Sequence, residues 1–409
     1  MTSTPDVPDR QLLVGSVVTP DGVVTDGVVA VEGTTIRYAG SRASLPPAWV
    51  GVAPPAGWPD GLALLPGLVD IHCHGGAGGE FGPDAEAGQR AATHHHVSGT
   101  TTLVGSLVSA PAEALVKGAH TLAGLVRTGE LAGIHLEGPF LSTARCGAQN
   151  PAALIDADPQ LMDRLAQAAD GALAHMTWAP ERPGGDTVPG SLAAAGALAA
   201  LGHTDTDYPG AAQALRAAVD PAVRGGLPLA THLFNGMPPL QSRAPGPVAA
   251  ALAAAARGEA VVEVIADGVH LDGGTVRMVY DAVGPDHMAL VTDAMAASGL
   301  ADGAYTLGGL EVTVRGREVR LDNGSLAGGV SVLLDQVRWL VRDLGVPLVD
   351  AVRAAATTPA RALAIEGVGS LVEGGRADVL AVDADLELVQ VMRAGSWLPP
   401  RSLTSASKG

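Results

Sequence analysis

The chain has 409 residues, of which 47% are hydrophobic and 16% charged, so it can bury a large core in one or two domains. Its formal net charge of −17 argues against nucleic acid or an anionic membrane as a partner, because both require a basic surface. Two cysteines cannot form a disulfide framework, and neither a signal peptide nor a spanning apolar segment is visible. We therefore expect a cytoplasmic protein.

The two ends of the chain predict short β-strands. Residues 11–40 contain Val, Ile and Leu pairs that alternate with Asp-Gly and Glu-Gly turn signals. A connector rich in Pro and Gly follows, and the β pattern returns near the end of the chain. We predict a small β-sandwich domain built from residues 1–61 and residues 366–409, the second of which includes a tail.

Residues 62–365 have a different pattern, in which short apolar runs alternate with Ala-rich helical stretches. The eight runs are LVDIHCH, TTLVGS, LAGIHLEGP, ALAHMTWAPE, ALGHTD, LPLATHLFN, VVEVIADGVH and HMALVTDA. Eight strands that each precede a helix are the signature of an α/β fold of the (β/α)8 TIM-barrel type. The segment EVTVRGREVRLDNG predicts a hairpin inserted after the last barrel strand.

Ionisable side chains stand where five of these predicted strands end. They are His72, His74, Glu137, His203, His232 and Asp293. The C-terminal ends of barrel strands meet at one mouth, and imidazole and carboxylate are the ligands that divalent metals such as zinc take. A single histidine at a strand end is more often structural, but six buried ionisable groups without partners would be costly. The set therefore predicts a metal site.

These residues also carry a resemblance to known proteins. PGLVDIHCHG, followed by Glu, His, His and Asp at later strand ends, resembles the amidohydrolase superfamily of metal-dependent barrel hydrolases. HLEGPFL, GHTD, THLFNGM, ADGVHL, LVTDAM and LAGG resemble the N-acetylglucosamine-6-phosphate deacetylase family within it. The resemblance implies hydrolysis of the acetamide of N-acetylglucosamine 6-phosphate to glucosamine 6-phosphate and acetate, in amino-sugar catabolism and cell-wall recycling.

The resemblance also implies how the metal ligands are divided. Glu137, His203 and His232 correspond to the first metal site of the family. His72 and His74 are expected to hold a second ion together with Glu137. We expect one or two divalent ions per chain, with zinc as the first choice and iron or another divalent ion as alternatives.

The chemistry follows from these ligands. The only lysines, Lys117 and Lys408, lie outside the barrel-strand patterns, so a carboxylated lysine between two metals is excluded. A divalent metal lowers the pKa of bound water, and the hydroxide so formed would attack the acetamide carbonyl. Asp293 would act first as the general base and then as the acid that protonates the leaving amine. A structural Asp293 that caps the following turn is the alternative.

Other residues match substrate-binding positions of the family. Arg243 and His270 match its phosphate ligands, and Asn235 and Gly236 match contacts to the phosphosugar. The family's arginine reaches the phosphate across a dimer interface, which implies a homodimer, although Arg243 could instead be a solvated loop charge. Gly138, next to the predicted ligand of the third strand, is a further expected substrate contact.

One loop departs from the family pattern. LSTARCGAQNPAAL corresponds to a loop in which a histidine before Asn-Pro orients the substrate carbonyl, and this chain has Gln149 there. Glutamine can donate a hydrogen bond but cannot be cationic, a loss that a second metal could offset by polarising the carbonyl. Cys146 in the same loop either contacts substrate or serves as a small filler.

Two alternatives stay open. One is another amidohydrolase activity on the same site, such as deamination or cyclic-amide hydrolysis. The other is a non-catalytic barrel homologue that serves as a scaffold. Arg243 and His270 favour a phosphorylated amino sugar, because a neutral nucleobase needs no phosphate clamp. A non-catalytic homologue would typically have lost some of the predicted ligands.

Overall fold

The structure, a computed structural model, describes residues 10–400. Its strands in chain order are β1 Arg10–Thr19, β2 Gly22–Glu32, β3 Thr35–Ser41, β4 Ala63–Pro66, β5 Leu68–Cys73, β6 Gly75–Gly76, β7 Gly79–Glu80, β8 Thr100–Val108, β9 Gly133–Glu137, β10 Leu173–Trp178, β11 Leu198–Leu201, β12 Leu229–Ala230, β13 Val261–Val264, β14 Met288–Leu290, β15 Gly303–Leu307, β16 Leu310–Arg315, β17 Glu318–Leu321, β18 Val379–Val382, β19 Leu388–Arg393 and β20 Ser396–Trp397.

The α-helices are α1 Ala85–Val97, α2 Ala112–Arg127, α3 Pro159–Ala169, α4 Val188–Ala194, α5 Tyr208–Ala217, α6 Gly246–Ala256, α7 Gly273–Val283, α8 Leu333–Arg342, α9 Leu348–Val352 and α10 Thr358–Ala362. A π-helical turn, Arg353–Thr357, joins the last two of them. Short 3-10 turns lie at Arg42–Ser44, Pro47–Trp49, Thr143–Arg145, Pro151–Ala153 and Gly185–Thr187. Within residues 10–400, none of the helices has the length and hydropathy of a bilayer-crossing segment.

Eight parallel strands form the barrel, in the order β5, β8, β9, β10, β11, β12, β13 and β14. Each overlaps one of the eight apolar runs, so the predicted (β/α)8 barrel is confirmed. The ring closes between its last and first strands. There the backbone N–H of Asp293 donates to the His72 carbonyl at 2.9 Å, and that of His74 donates to the Ala294 carbonyl at 2.8 Å.

The inside of the barrel changes character along its axis. Val69, Ala174, Leu198 and Val261, near the N-terminal ends of their strands, belong to one buried apolar cluster. Towards the C-terminal ends the buried positions become His, Thr, Ser and Glu. The register of β5 against β8 is irregular between Asp70 and Cys73, which is how a strand re-aims side chains beside a functional site. The polar end of the barrel therefore carries the candidate site.

Strands from both chain ends form one seven-stranded sheet, in the order β20, β19, β18, β4, β1, β2 and β3. The prediction that both chain ends build a separate small β domain is confirmed, and the strands of the predicted sandwich form one continuous sheet. Strand β4 belongs to this sheet, although it lies just past residue 62, where the barrel was expected to start. The predicted domain limits stay predictions. The part of the predicted tail that follows residue 400 lies outside the described residues.

The predicted insertion after the last barrel strand is present as the antiparallel sheet β15–β16–β17. It follows β14 and precedes α8, and the backbone N–H of Gly308 within it donates to the Glu80 carboxylate at 3.1 Å. Leu307 and Leu326 from this segment line the cavity at the barrel mouth. The insertion therefore supplies an apolar wall to an otherwise polar cavity.

Candidate active site

A cavity of about 280 Å³ opens at the C-terminal ends of the barrel strands. Its polar lining includes His74, Glu137, Gln149, His203, His232, Asn235, His270 and Asp293. The volume is close to the lower end of the roughly 300–1,000 Å³ typical of ligand pockets, which suits a small polar substrate. Residues from seven loops or strands thus meet in one place, as the active sites of such barrels do.

Three of the predicted ligands come together at one side of the cavity, where His74 and Asp293 line it and His72 is buried beside them. Nε2 of His72 lies 3.1 Å from Nε2 of His74. Oδ1 of Asp293 lies 3.2 Å from Nε2 of His74 and 3.5 Å from Nε2 of His72. We call these three residues the second subsite, and their donor atoms are close enough together to hold a metal ion.

The remaining predicted ligands form an adjoining set, which we call the first subsite. Nε2 of His203 and Nε2 of His232 lie 3.0 and 2.9 Å from Oε1 of Glu137. The other carboxylate oxygen of Glu137, Oε2, lies 3.1 Å from Nε2 of His74 in the second subsite. Glu137 therefore stands between the two subsites, in the place where a bridging ligand would be.

The hydrogen bonds behind the histidines determine which ring nitrogen faces the cluster. Three of the Nδ1 atoms lie next to an oxygen that carries no hydrogen, so the Nδ1 atom has to be the donor. These oxygens are Glu263 Oε2 for His72 at 3.0 Å, the Ser106 backbone oxygen for His74 at 3.2 Å and the Arg145 backbone oxygen for His203 at 2.8 Å. A neutral imidazole with its hydrogen on Nδ1 presents a lone pair at Nε2. Three such lone pairs and two carboxylates converge, and this donor set fits a divalent cation.

The electrostatics of the cluster favour positive charge. Burial alone would lower the pKa of His74, but the carboxylates of Asp293 and Glu137 raise that pKa to about 10. Burial is likewise outweighed at His232, where Glu137 raises the pKa to about 9. Burial would raise the pKa of Glu137, yet its hydrogen bonds from histidines, His203 first, hold that pKa well below its usual range. The cluster therefore binds protons strongly, and a bound metal would displace them.

Backbone strain is concentrated at these ligands. His203, His232 and Asp293 have φ values of +46°, +25° and +46°, in a region that residues other than glycine rarely adopt. Each such residue costs on the order of 1–3 kcal/mol, and such strain is typical of functional sites. All three stand just beyond the end of a barrel strand, where the chain turns so that the side chain enters the cavity.

Two glycines make room for His203. A Cβ atom on Gly236 would lie 2.7 Å from Nδ1 of His203, and one on Gly147 would lie 3.3 Å from its Cε1. Both glycines also have positive φ values, of +59° and +58°. The predicted contact residue Gly236 thus has a packing role that the sequence did not reveal.

Other residues predicted to bind substrate also line the cavity. Nδ1 of His270 is 2.8 Å from Oδ2 of Asp267, and Nδ2 of Asn235 donates to the His232 carbonyl at 3.1 Å. Gln149 donates from Nε2 to Oε2 of Glu137 at 2.5 Å. Its Oε1 accepts from a backbone N–H at 2.8 Å, so both ends of the amide are held.

Three predicted contacts lie outside the cavity lining. Arg243 is exposed on the loop before α6, and Cys146 is half-buried beside the lining residue Gly147. Gly138 is buried, and a Cβ there would lie 2.2 Å from Oγ of Ser109. Roles for these three in substrate binding stay predictions.

The structure also adds residues that the sequence analysis missed. Glu263 of β13 is fully buried behind His72, and the one signal for it was an acid in the middle of the apolar run VVEVI. Asp70, Cys73 and His95 form a further buried group behind the site, with Sγ of Cys73 3.2 Å from Nε2 of His95. The sequence pattern did not predict that a histidine of α1 would contact the first barrel strand.

Comparison with known proteins decides the family. The amidohydrolase family model matches residues 63–398. The chain belongs to the amidohydrolase family. The N-acetylglucosamine-6-phosphate deacetylase of Bacillus subtilis is 31% identical to it, over 93% of this chain and 95% of that protein. The N-acetylgalactosamine-6-phosphate deacetylase of Escherichia coli O157:H7 is 32% identical, over 82% of this chain and 88% of that protein.

Solved structures of this amidohydrolase's relatives share the whole architecture. The N-acetyl-D-glucosamine-6-phosphate deacetylase of Mycobacterium smegmatis is 37% identical and superimposes with a TM-score of 0.87, over 95% of this chain and 100% of that one. A mutant of that enzyme in complex with N-acetyl-D-glucosamine-6-phosphate gives a TM-score of 0.86. The resemblance identified from the motifs is confirmed.

Proposed function

We propose that this amidohydrolase removes the acetyl group of N-acetylglucosamine 6-phosphate, giving glucosamine 6-phosphate and acetate. The observation that carries the proposal is the convergence of the two subsites on one cavity that also exposes His270 and Asn235. Relatives named for the glucosamine and the galactosamine substrates are equally similar in sequence, at 31% and 32% identity. We choose the glucosamine epimer because the solved relative at 37% identity is named for it.

The donor set fits metal ions at both subsites. Glu137, His203 and His232 would hold one ion, and the second subsite would hold another, with the Glu137 carboxylate between them. Imidazole nitrogens and carboxylate oxygens suit zinc, which we propose as the metal. A divalent ion there would lower the pKa of bound water and polarise the acetamide oxygen.

Asp293 is placed to move the proton. It lines the cavity, and although burial would raise its pKa, the hydrogen bond with His74 keeps that pKa below its usual value. Its carboxylate can therefore accept a proton from the attacking water and return it to the departing nitrogen. Without that proton the amine would be a poor leaving group, so this residue links both halves of the reaction.

We propose that the phosphate binds at the rim of the cavity. His270 lines the cavity with its ring held by Asp267, and Asn235 lines it from the neighbouring loop. Among residues 10–400, none of those that line the cavity is Lys or Arg, so the balancing cation has to come from elsewhere. In the proposed homodimer Arg243, exposed on its own subunit, reaches the phosphate of the neighbouring site. Location in the cytoplasm also stays a prediction.

The test is acetate release from N-acetylglucosamine 6-phosphate by the zinc-loaded chain. We expect turnover, a lower rate with the galactosamine epimer, and little turnover of unphosphorylated N-acetylglucosamine. Asp293→Asn is expected to reduce kcat by about 10²–10⁴-fold, the usual contribution of a positioned acid–base group. Equal rates with and without the phosphate would contradict the substrate assignment, and an active Asp293→Asn variant would contradict the mechanism.

A further inference from the structure

Glu263 occupies an unusual position beneath the candidate metal centre. Its side chain comes from β13 and has no exposed surface. Oε2 accepts a hydrogen bond from Nδ1 of His72 at 3.0 Å and one from the backbone N–H of His232 at 3.3 Å. Oε1 is also buried and has no hydrogen-bond partner among residues 10–400. The carboxylate is therefore far from fully compensated by hydrogen bonds alone.

We propose that Glu263 is a positioning residue that loads the second subsite with its metal ion, acting through His72. Its carboxylate fixes the hydrogen of the imidazole on Nδ1 and aims Nε2 at His74 and Asp293. It also makes the ring a stronger donor, because a carboxylate behind a ligating histidine raises the basicity of that ligand. This inference rests on the metal centre of the proposed function and is independent of the substrate.

The buried charges support a role in metal loading. Glu137, Asp293 and Glu263 are carboxylates with at most 9% of their surface exposed, and in the described part of the chain no Lys or Arg lines the cavity. The three carboxylates carry a charge of −3, so one divalent ion would leave one buried negative charge uncompensated, whereas a second ion would more than offset it. Removing the negative charge of Glu263 should therefore reduce the affinity for the second ion more than the affinity for the first.

The geometry predicts that the effect is unequal between the subsites. Glu263 hydrogen-bonds to the imidazole of His72, whereas at His232 its hydrogen bond comes from the backbone N–H. Nε2 of His232 lies 2.9 Å from Oε1 of Glu137. Loss of a partner behind a ligating histidine typically costs 10–100-fold in metal affinity, and here we expect that loss at the second ion.

The experiment measures zinc stoichiometry and affinity by equilibrium dialysis with elemental analysis. We expect two ions per wild-type chain. Glu263→Gln, which keeps the shape and removes the charge, should bind the second ion about 10–100-fold more weakly and the first unchanged. His72→Asn sets the benchmark for complete loss of the second subsite. Asp378→Asn is the matched control, because Asp378 is a buried carboxylate held by Thr101 at the joint with the small sheet.

Two results would overturn the proposal: a wild-type chain that holds only one ion at saturation, or a Glu263→Gln variant that binds both ions with wild-type affinity. If that variant fails to fold, the position of the His72 proton in the wild-type protein still tests the proposal. In zinc-loaded protein with ¹⁵N-labelled histidine, the His72 signal, assigned by its loss in His72→Asn, should show the proton on Nδ1. A proton on Nε2 would refute the inference.

The same data separate this inference from the proposed function. If Glu263→Gln loses the second ion while the wild type releases no acetate from any phosphorylated amino sugar, the substrate assignment fails and the role of Glu263 stands. If the wild type is an active deacetylase that keeps both ions in Glu263→Gln, the proposed function stands and Glu263 is not a loading residue.

Discussion

The mouth of the barrel and the small seven-stranded sheet are both well buried, but their buried side chains differ in kind. At the mouth, His72, His74 and Glu137 have at most 3% of their surface exposed. In the sheet, the fully buried positions are apolar, as at Leu13 and Leu64. Burial favours the apolar sheet outright, whereas the ionisable cluster is costly to bury until a cation compensates it.

The backbone shows the same contrast. The long strands β1 and β2 pair regularly over most of their length, whereas three ligands at the mouth have positive φ values. The comparison teaches that the sheet contributes stability, while the mouth holds an arrangement that would be unfavourable without its function. Changes in the two regions should therefore separate activity from stability.

Metal removal should have the largest effect, because the cluster at the mouth would lose the cation that compensates its charges. Dialysis against a chelator is expected to reduce acetate release to background and to lower Tm, because a ligand that binds only the native state stabilises it. Zinc should restore both quantities. Full activity in protein shown to be metal-free would end the assignment of the cluster as a metal centre.

Gly236→Ala should come next. The added methyl group would lie 2.7 Å from Nδ1 of His203, so the imidazole has to move. A displacement of about 1 Å in a catalytic constellation can cost about 100-fold, which we expect in kcat/KM. Gly190→Ala is the matched control: Gly190 lies in α4 with no atom near the new Cβ, and that change should leave activity intact. Equal activities would show that the mouth tolerates distortion.

Arg243→Ala should have a smaller effect, confined to substrate binding. A hydrogen bond to a charged group is worth about 1.5–3 kcal/mol, so KM for the phosphorylated substrate should rise about 10–100-fold with little change in kcat. Arg90→Ala, which removes an exposed arginine from α1, is the control and should leave KM unchanged. The same KM in both variants would place Arg243 among solvated loop charges.

Leu64→Ala tests the other side of the comparison. Leu64 is fully buried in the small sheet, and its truncation should reduce the free energy of unfolding by about 2–5 kcal/mol, measured by urea titration. The remaining native protein should keep the wild-type kcat. Val389→Ala, at a 41% exposed position of the same sheet, should change stability by about 0.5 kcal/mol or less. A large loss of kcat in Leu64→Ala would show that the sheet shapes the site.

The barrel was predictable because its strands are buried on both faces and therefore read as apolar runs at regular intervals. The candidate ligands were predictable because strand ends in this fold share one mouth, so residues as distant in sequence as His72 and Asp293 could be grouped. Glu263 was not predicted, since an acid within an apolar run does not reveal which histidine it will contact.

Sequence by itself determined the number and order of the barrel strands and the ionisable residue types that follow them, because these depend on local periodicity and composition. Only the tertiary structure decided which nitrogen of each histidine faces the cluster, that Glu137 stands between two subsites, and that Gly236 makes room for His203. Those properties depend on distances of about 3 Å between segments far apart in the chain, which arise only when the ring of strands closes.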